Sequence, residues 1–329
     1  MRKVKGIDAA TYEVLAAAYQ KADMTVRTES VGAYRTKTTK AGDFLYVYCY
    51  PLIAASAIRE QRRALDDLRK GRAPFSARVK YARYNNKRRM LYVEQLAHAN
   101  FGIGSFHLTL TYERQDYDVR NDRDPLIFRT RDEAKRELTN WFARVKRLLK
   151  RHGVDLAKFK WLRVTVTQEG NKEGEQQPDR HHHHVLLDGV PEELRGEIER
   201  LWPYGFCNAD RLQPGRNDGI ARVAQYVARQ EGAANGSHQA NERSWTCSKN
   251  LARPKVTVSD SRISRRRVMQ IAADVRRDGR DILEAIYPGY RTTQDDIEVT
   301  VSDFCAGAYI RARLRRIEQE DRRRKEGVA

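Results

Sequence analysis

Hydrophobic and polar positions change period several times along this chain, and each change predicts an element. Residues 1–95 combine a short strand-like run, Phe44 to Tyr50, with a charged helical pattern from Leu52 to Arg69 that stops at Gly71. FGIGSFHLTLTY then alternates, with Phe106, Leu108, Leu110 and Tyr112 on one face and His107, Thr109 and Thr111 on the other, as in a sheet strand. From Thr130 to His152 the apolar residues Ala134, Leu138, Trp141, Phe142, Val145 and Leu149 recur at three and four positions, which predicts a helix ended by Gly153. WLRVTVTQE (161–169) alternates again, and the polar stretch NKEGEQQPDR leads into HHHHVLL, so two strands are expected in a long hairpin. Pro191 to Trp202 predicts a helix opened by proline and two glutamates. Gly219 to Gln230 predicts another, with Ile220, Val223, Ala224 and Val227 as its buried stripe. Beyond it, GAANGSHQANERS loses periodicity and reads as a linker. The arginine-dense tail RARLRRIEQEDRRRKEG suits an exposed helix as much as a DNA contact.

Three regions follow: a basic N-terminal region of mixed strand and helix (1–95), a compact α+β unit (96–232), and a linker with a basic, mostly helical C-terminal region (233–329). At 329 residues the chain is long enough for about two domains and buries a core without metal or disulfide staples. Lysine and arginine total 63 against 44 acidic residues, a formal charge of +19, which favours a polyanionic partner and makes nucleic acid the first suspect. No apolar run approaches the ~20 residues of a bilayer span, and MRKVKGIDAATYEVL carries no apolar stretch of signal-peptide length. A soluble, unexported protein without a membrane role is expected. Cys49, Cys207, Cys247 and Cys305 are far apart with no CxxC pair, which disfavours a zinc finger or disulfide scaffold and suits a reducing cytoplasm.

Four of the eight histidines are consecutive, His181 to His184, where a polar loop enters an apolar strand. Residues two apart on a strand share a face, so either His181 with His183 or His182 with His184 presents two imidazoles to one divalent ion. Glu169, at the end of TVTQE and on the strand face of Thr165 and Thr167, is brought back beside the histidines by the hairpin. Two imidazoles and a carboxylate with open positions describe a catalytic rather than a closed structural site. The competing explanation is a solvated histidine cluster. A purification tag is disfavoured because the run grades into Val185, Leu186 and Leu187, and HxHxH and HExxH are both absent. In GIARVAQYVARQ, Tyr226 lies off the apolar stripe, flanked by Arg222 four residues earlier and Arg229 three later. Neighbouring cations favour phenolate and also hold phosphate.

FHLTLTY (106–112), HHHHVLL (181–187) and YVAR (226–229), in that order, resemble the three motifs of rolling-circle replication-associated proteins of bacterial plasmids, phages and integrated elements, within the HUH endonuclease superfamily. LWPYGFCNADRLQP and SWTCSKNLARPKVTVSDSRISRRRV are similar to the same group, so the resemblance covers Phe101 to Val268, with a weaker likeness around Tyr46 to Pro51. It implies a ferredoxin-like HUH nuclease core on an antiparallel sheet, with basic N- and C-terminal extensions. It implies His182, His184 and Glu169 as ligands of Mn2+ or Mg2+, and Tyr226 as the single nucleophile. Arg229 stands where the family usually has lysine, keeping the charge but not a titratable amine. The implied function is rolling-circle initiation, by nicking and rejoining single-stranded or hairpin origin DNA through a 5′-phosphotyrosine. Since no GxxxxGK[ST] loop is present, host helicase and polymerase are the implied partners. A relaxase or single-strand transposase of the same chemistry, or a non-catalytic DNA-binding repressor, are the alternatives.

Overall fold

The computed structural model describes residues 33–52, 66–72, 75–112, 130–168, 180–213, 220–221, 224, 245–302 and 305–317. These form an α+β protein with two antiparallel sheets, and the chain divides into two compact units, 90–253 and 1–89 with 254–329. The long helix α1, Phe75–His98, runs from the second of these units into the first.

In the 90–253 unit, strands β3 (Phe106–Thr111), β4 (Lys160–Gln168), β5 (Arg180–Asp188), β6 (Cys207–Arg211) and β7 (Trp245–Cys247) lie in the order β6-β3-β5-β4-β7. The expected hairpin is β4–β5, with Gln168 opposite Arg180 and Lys160 opposite Asp188. Strict alternation gives the sheet two apolar faces, and each has its own cover. Phe106, Leu108, Leu110, Val185 and Leu187 pack against Leu138, Trp141, Phe142, Val145 and Leu149 of α2 (Arg131–Arg151) and Ile198 of α3 (Arg195–Arg200). Leu162, Val164, Val166 and Leu186 face the other way, against Val93, Leu96 and Ala97 of α1 with Ile220, Ala224 and Leu251.

Helix α2 starts and stops where its sequence directs. The Thr130 hydroxyl accepts from the Glu133 N–H at 3.3 Å, and the Glu133 carboxylate accepts from the Thr130 N–H at 2.8 Å, a reciprocal cap that satisfies two otherwise orphaned donors. Asp132 and Glu133 occupy its first turn and Lys150 and Arg151 its last, both favourable to the helix dipole. Gly153 follows at φ 71°. Between Pro191 and Trp202 the expected helix is a 3-10 turn, Glu192–Leu194, running into the single α turn and a half of α3. Gly189, just after β5, has φ +75°, and a Cβ there would stand 2.6 Å from the Lys158 carbonyl oxygen. Gly189→Ala therefore combines a disfavoured backbone conformation with a clash against main chain, and is expected to cost about 2–4 kcal/mol of stability in urea denaturation.

The other unit carries β1 (Tyr34–Ala41), β2 (Phe44–Pro51), β8 (Lys255–Ser259), β9 (Tyr290–Arg291), β10 (Ile297–Ser302) and β11 (Cys305–Arg316), in the order β10-β11-β2-β1-β8 with β9 on β11. The arginine-dense tail, which suits an exposed helix as much as a DNA contact, begins inside a strand, Cys305–Arg316, while 318–329 lie outside the described residues. The reason is a period of two: Ile310, Ala312 and Leu314 enter the core while Arg311, Arg313 and Arg315 take the opposite face. The core of this sheet, Leu45, Val47, Cys49, Ile310 and Leu314, is covered by Val268 and Ile271 of α4 (Arg265–Ala273) and Leu283 of α5 (Arg280–Ile286). Among the described residues no helix is long and apolar enough to cross a membrane.

Candidate metal and strand-cleavage site

The histidine run is the first half of β5, the central strand of its sheet, so its four imidazoles alternate between two different environments. His183 points to the α2 side and is fully buried. Its Nδ1 lies 3.0 Å from the Thr165 hydroxyl, its Nε2 lies 2.9 Å from the Tyr112 hydroxyl, and the Tyr112 hydroxyl lies 3.3 Å from the Ala134 carbonyl oxygen. One proton arrangement gives every contact a hydrogen: Thr165 donates to Nδ1, Nε2–H donates to Tyr112, and Tyr112 donates to Ala134. Trp202 packs edge-on at 5.6 Å. Burial pushes the imidazolium pKa down to about 3, so the ring is neutral. Both of its nitrogens are engaged inside the protein, which removes His183 from ligand duty and leaves the His181 and His183 pairing incomplete.

His182 and His184 stand on the other face, level with Val166 and Val164 of β4 and with Thr111 and Thr109 of β3. Their ring centroids are 5.1 Å apart. His184 is buried, with Nδ1 3.4 Å from the Thr109 hydroxyl, and burial holds its pKa down to about 3. Burial also lowers the His182 pKa, with His181 adding charge repulsion. Neutral imidazole is the form that binds a metal ion.

Sequence reading missed a third imidazole on this face. His107 of β3 stacks on His184 with centroids 5.4 Å apart, and its buried Nε2 makes no hydrogen bond among the described residues. The signal was available, because FHLTLTY sets His107 on the face of Thr109 and Thr111, but a lone histidine on a strand says nothing until the neighbouring strand is in register. Among the described residues, no group of three or more His, Cys, Asp or Glu side chains is arranged to hold a metal ion.

Glu169, Arg222, Tyr226 and Arg229 lie outside the described residues. What is described on either side constrains them. Thr165 and Thr167, on whose face the sequence sets Glu169, pair with His183 and His181, not with His182 and His184. The segment leading to Tyr226 enters on the face of the His182 and His184 pair: Ile220 and Ala224 are buried against Leu186, Val164 and Leu96, the Ile220 N–H donates to His98 Nε2 at 3.2 Å, and the Ala224 N–H donates to the Ile220 carbonyl at 2.9 Å in a helical turn.

Residues 105–231 match the sequence model of a family of replication-associated proteins, the ORF2 type. No curated protein matches the chain, and neither does any solved structure. The match spans β3, the β4–β5 hairpin with its histidines, and the segment that carries Tyr226. It supports a replication-associated, DNA-binding protein with a role in starting replication.

Proposed function

We propose that this protein initiates rolling-circle replication by cutting and rejoining one DNA strand at an HUH-type site on a ferredoxin-like core. The observation that carries this reading is the partition of the histidine run. His183 is committed to the fold, while neutral His182 and His184 share the sheet face onto which Ile220 and Ala224, just ahead of Tyr226, also pack. The donor set suits a divalent ion, because two neutral imidazoles on alternate positions of one strand converge on a single side. His182 and His184 would hold Mn2+ or Mg2+, which when bound polarises a phosphodiester and offsets charge on its oxygens.

Tyr226 supplies the nucleophile. Its phenol gives up a proton to water, its oxygen bonds to phosphorus, and the bond from phosphorus to the 3′ oxygen breaks, the departing oxygen taking a proton from water to leave a free 3′ hydroxyl and a 5′-phosphotyrosine. Arg222 and Arg229, on the same helical side by spacing, hold the phosphate and favour phenolate. Arg229 keeps its proton throughout, so it grips and does not shuttle. The free 3′ hydroxyl primes synthesis by a host polymerase, and a host helicase opens the duplex.

The third ligand has two readings, and the β4–β5 register bears on both. Glu169 reaches the His182 and His184 face only if the regular pleat breaks after Gln168, since Thr165 and Thr167 lie opposite His183 and His181. His107 stands on the correct face beside His184, but its ring is stacked on that of His184 and the three histidines are not arranged to hold an ion, so it ligates only after a change of side-chain rotamer. Mn2+ affinity of Glu169→Ala and His107→Ala, measured by titration calorimetry, separates them: the ligand's variant weakens binding by about 10-fold or more.

The test of the whole reading uses 3′-labelled single-stranded oligonucleotides tiled across the DNA flanking the gene, incubated with protein and Mn2+. Wild type is expected to give a labelled protein-DNA adduct on a denaturing gel, and Tyr226→Phe to lower it by at least about 10³-fold. An adduct that survives in Tyr226→Phe moves the nucleophile elsewhere. Binding without any nick or adduct in wild type favours the repressor alternative, and cleavage mapped to a transfer origin or an element end favours a relaxase or transposase.

A further inference from the structure

The α2 side of the same sheet carries a concentration of positive charge, unrelated to the neutral histidine pair. Arg163 of β4 is partly buried between two aromatic rings, its guanidinium carbon 5.1 Å from the Phe142 centroid and 5.3 Å from that of Trp161. Its Nε–H donates to the Thr246 hydroxyl at 2.9 Å and one Nη2–H donates to the Thr139 hydroxyl at 3.2 Å. A guanidinium has five N–H donors, so most of them remain, and no carboxylate among the described residues forms an ion pair with it. Holding a charge out of water against aromatic rings without a counterion is costly unless an anion completes it.

That guanidinium opens onto a cleft of about 100 Å³ between the first turns of α2 and the β4–β7 edge, lined also by Arg131, Lys135, Thr165 and Thr246. Among the described residues no acidic side chain lines it. Lys135 has Asp132 at 3.8 Å, the carboxylate standing in solvent. Three cations and the Thr246 hydroxyl around one small space are the donor set of a phosphate site, the Thr165 hydroxyl proton being committed to His183, with Arg163 pre-positioned by its rings and threonines to offer paired N–H groups to two phosphate oxygens.

We propose that this cleft binds a phosphate group, either a backbone phosphate of a single DNA strand or the phosphate of a free nucleotide. It lies on the sheet face opposite His182 and His184, since Arg163 and Thr165 alternate with Val164 and Val166. A strand bound there is gripped away from the cleavage site, which separates holding the DNA from cutting it.

The experiment measures fluorescence anisotropy of a labelled 20-nucleotide oligothymidylate with the full chain, in EDTA to exclude cleavage, over a series of NaCl concentrations. Lys135→Gln and Arg163→Met are the variants. Methionine keeps an apolar stem between the rings, and Lys135→Gln stands alone if Arg163→Met does not fold. For backbone binding, each variant weakens affinity about 3- to 10-fold and lowers the slope of log affinity against log salt by about 0.7. A second arm titrates thymidine triphosphate by calorimetry. If both variants lose nucleotide binding while oligothymidylate binding is unchanged, the phosphate comes from a free nucleotide. Wild-type affinity and slope for both probes in the folded variants overturn the proposal. Because every readout is metal-free, its failure is distinct from failure of the nicking chemistry.

Discussion

Replacing His182 by Ala together with His184 by Gln is expected to lower metal-dependent cleavage by about 10²–10⁴-fold, the several kcal/mol that a metal ion contributes to a phosphoryl transition state, while leaving the protein folded. His182 is only partly buried, and glutamine fills much of the volume of buried His184, so the melting temperature should move by a few degrees at most. His183→Ala should behave in the opposite way. It removes the acceptor of the Thr165 hydroxyl and the donor to Tyr112, both inside the sheet and α2 core, and opens a cavity beside Trp202. The lost partner of the buried Thr165 hydroxyl and a void together cost about 2–4 kcal/mol. Three adjacent histidines thus separate into two kinds by paired measurements: Mn2+ calorimetry with nicking rate, and urea denaturation. Equal loss of metal affinity in His183→Ala and in the His182 and His184 variant, with His183→Ala as stable as wild type, would remove the assignment.

Ending the chain after residue 304 is expected to abolish the fold of the other unit altogether. The deleted segment is no appendage: β11 lies between β10 and β2, pairing Ile310 with Cys49 and Leu314 with Leu45, and the Ala308 N–H donates to the Tyr34 hydroxyl across 274 positions of sequence. Its removal strips Leu45, Val47 and Cys49 of neighbours and leaves a row of open backbone groups along β2. Hydrogen exchange should show β1 and β2 losing protection. The milder Ile310→Ala, at a fully buried position, is expected to cost about 2–5 kcal/mol. If the truncated chain keeps protected β1 and β2 amides, the arginine strand is dispensable.

How far the sequence could be read depended on whether each element's signal was local. The α2 helix was legible to its caps because Thr130, Glu133, the apolar stripe and Gly153 all belong to one contiguous segment. FHLTLTY and HHHHVLL were legible because alternation is unbroken in both. Within the histidine run, parity was not, because which imidazole faces which side is decided by Thr165, Tyr112 and Trp202 on three other segments. The resemblance chose His182 and His184 over His181 and His183; both ring nitrogens of His183 have hydrogen-bond partners, Thr165 and Tyr112. The face of Glu169 required the β4–β5 register, which no periodicity reports. The helical reading of the first residues of the arginine tail missed a strand for a different cause. Dense charge drew attention to solvent, although Ile310, Ala312 and Leu314 alternate with the arginines as a strand demands. β6 and β7 are short and β1 is rich in charge, while β8 and β10 alternate β-branched residues that went unread; their pairing with neighbours distant in sequence is reported by no local pattern.

That sheet also dictates an order of events as the polypeptide leaves the ribosome. β1 and β2 emerge early, yet their outer partners are β8 and β11, so the hairpin they form must wait with its β1 edge uncovered until residue 259 is outside and its β2 edge uncovered until residue 316 is outside. Residues 90–253 complete their own sheet well before then. Translation therefore delivers the histidine-bearing unit first and the enclosing one last, and the interval between them is when the exposed Phe44–Pro51 strand is open to a chaperone or to mispairing with another nascent chain.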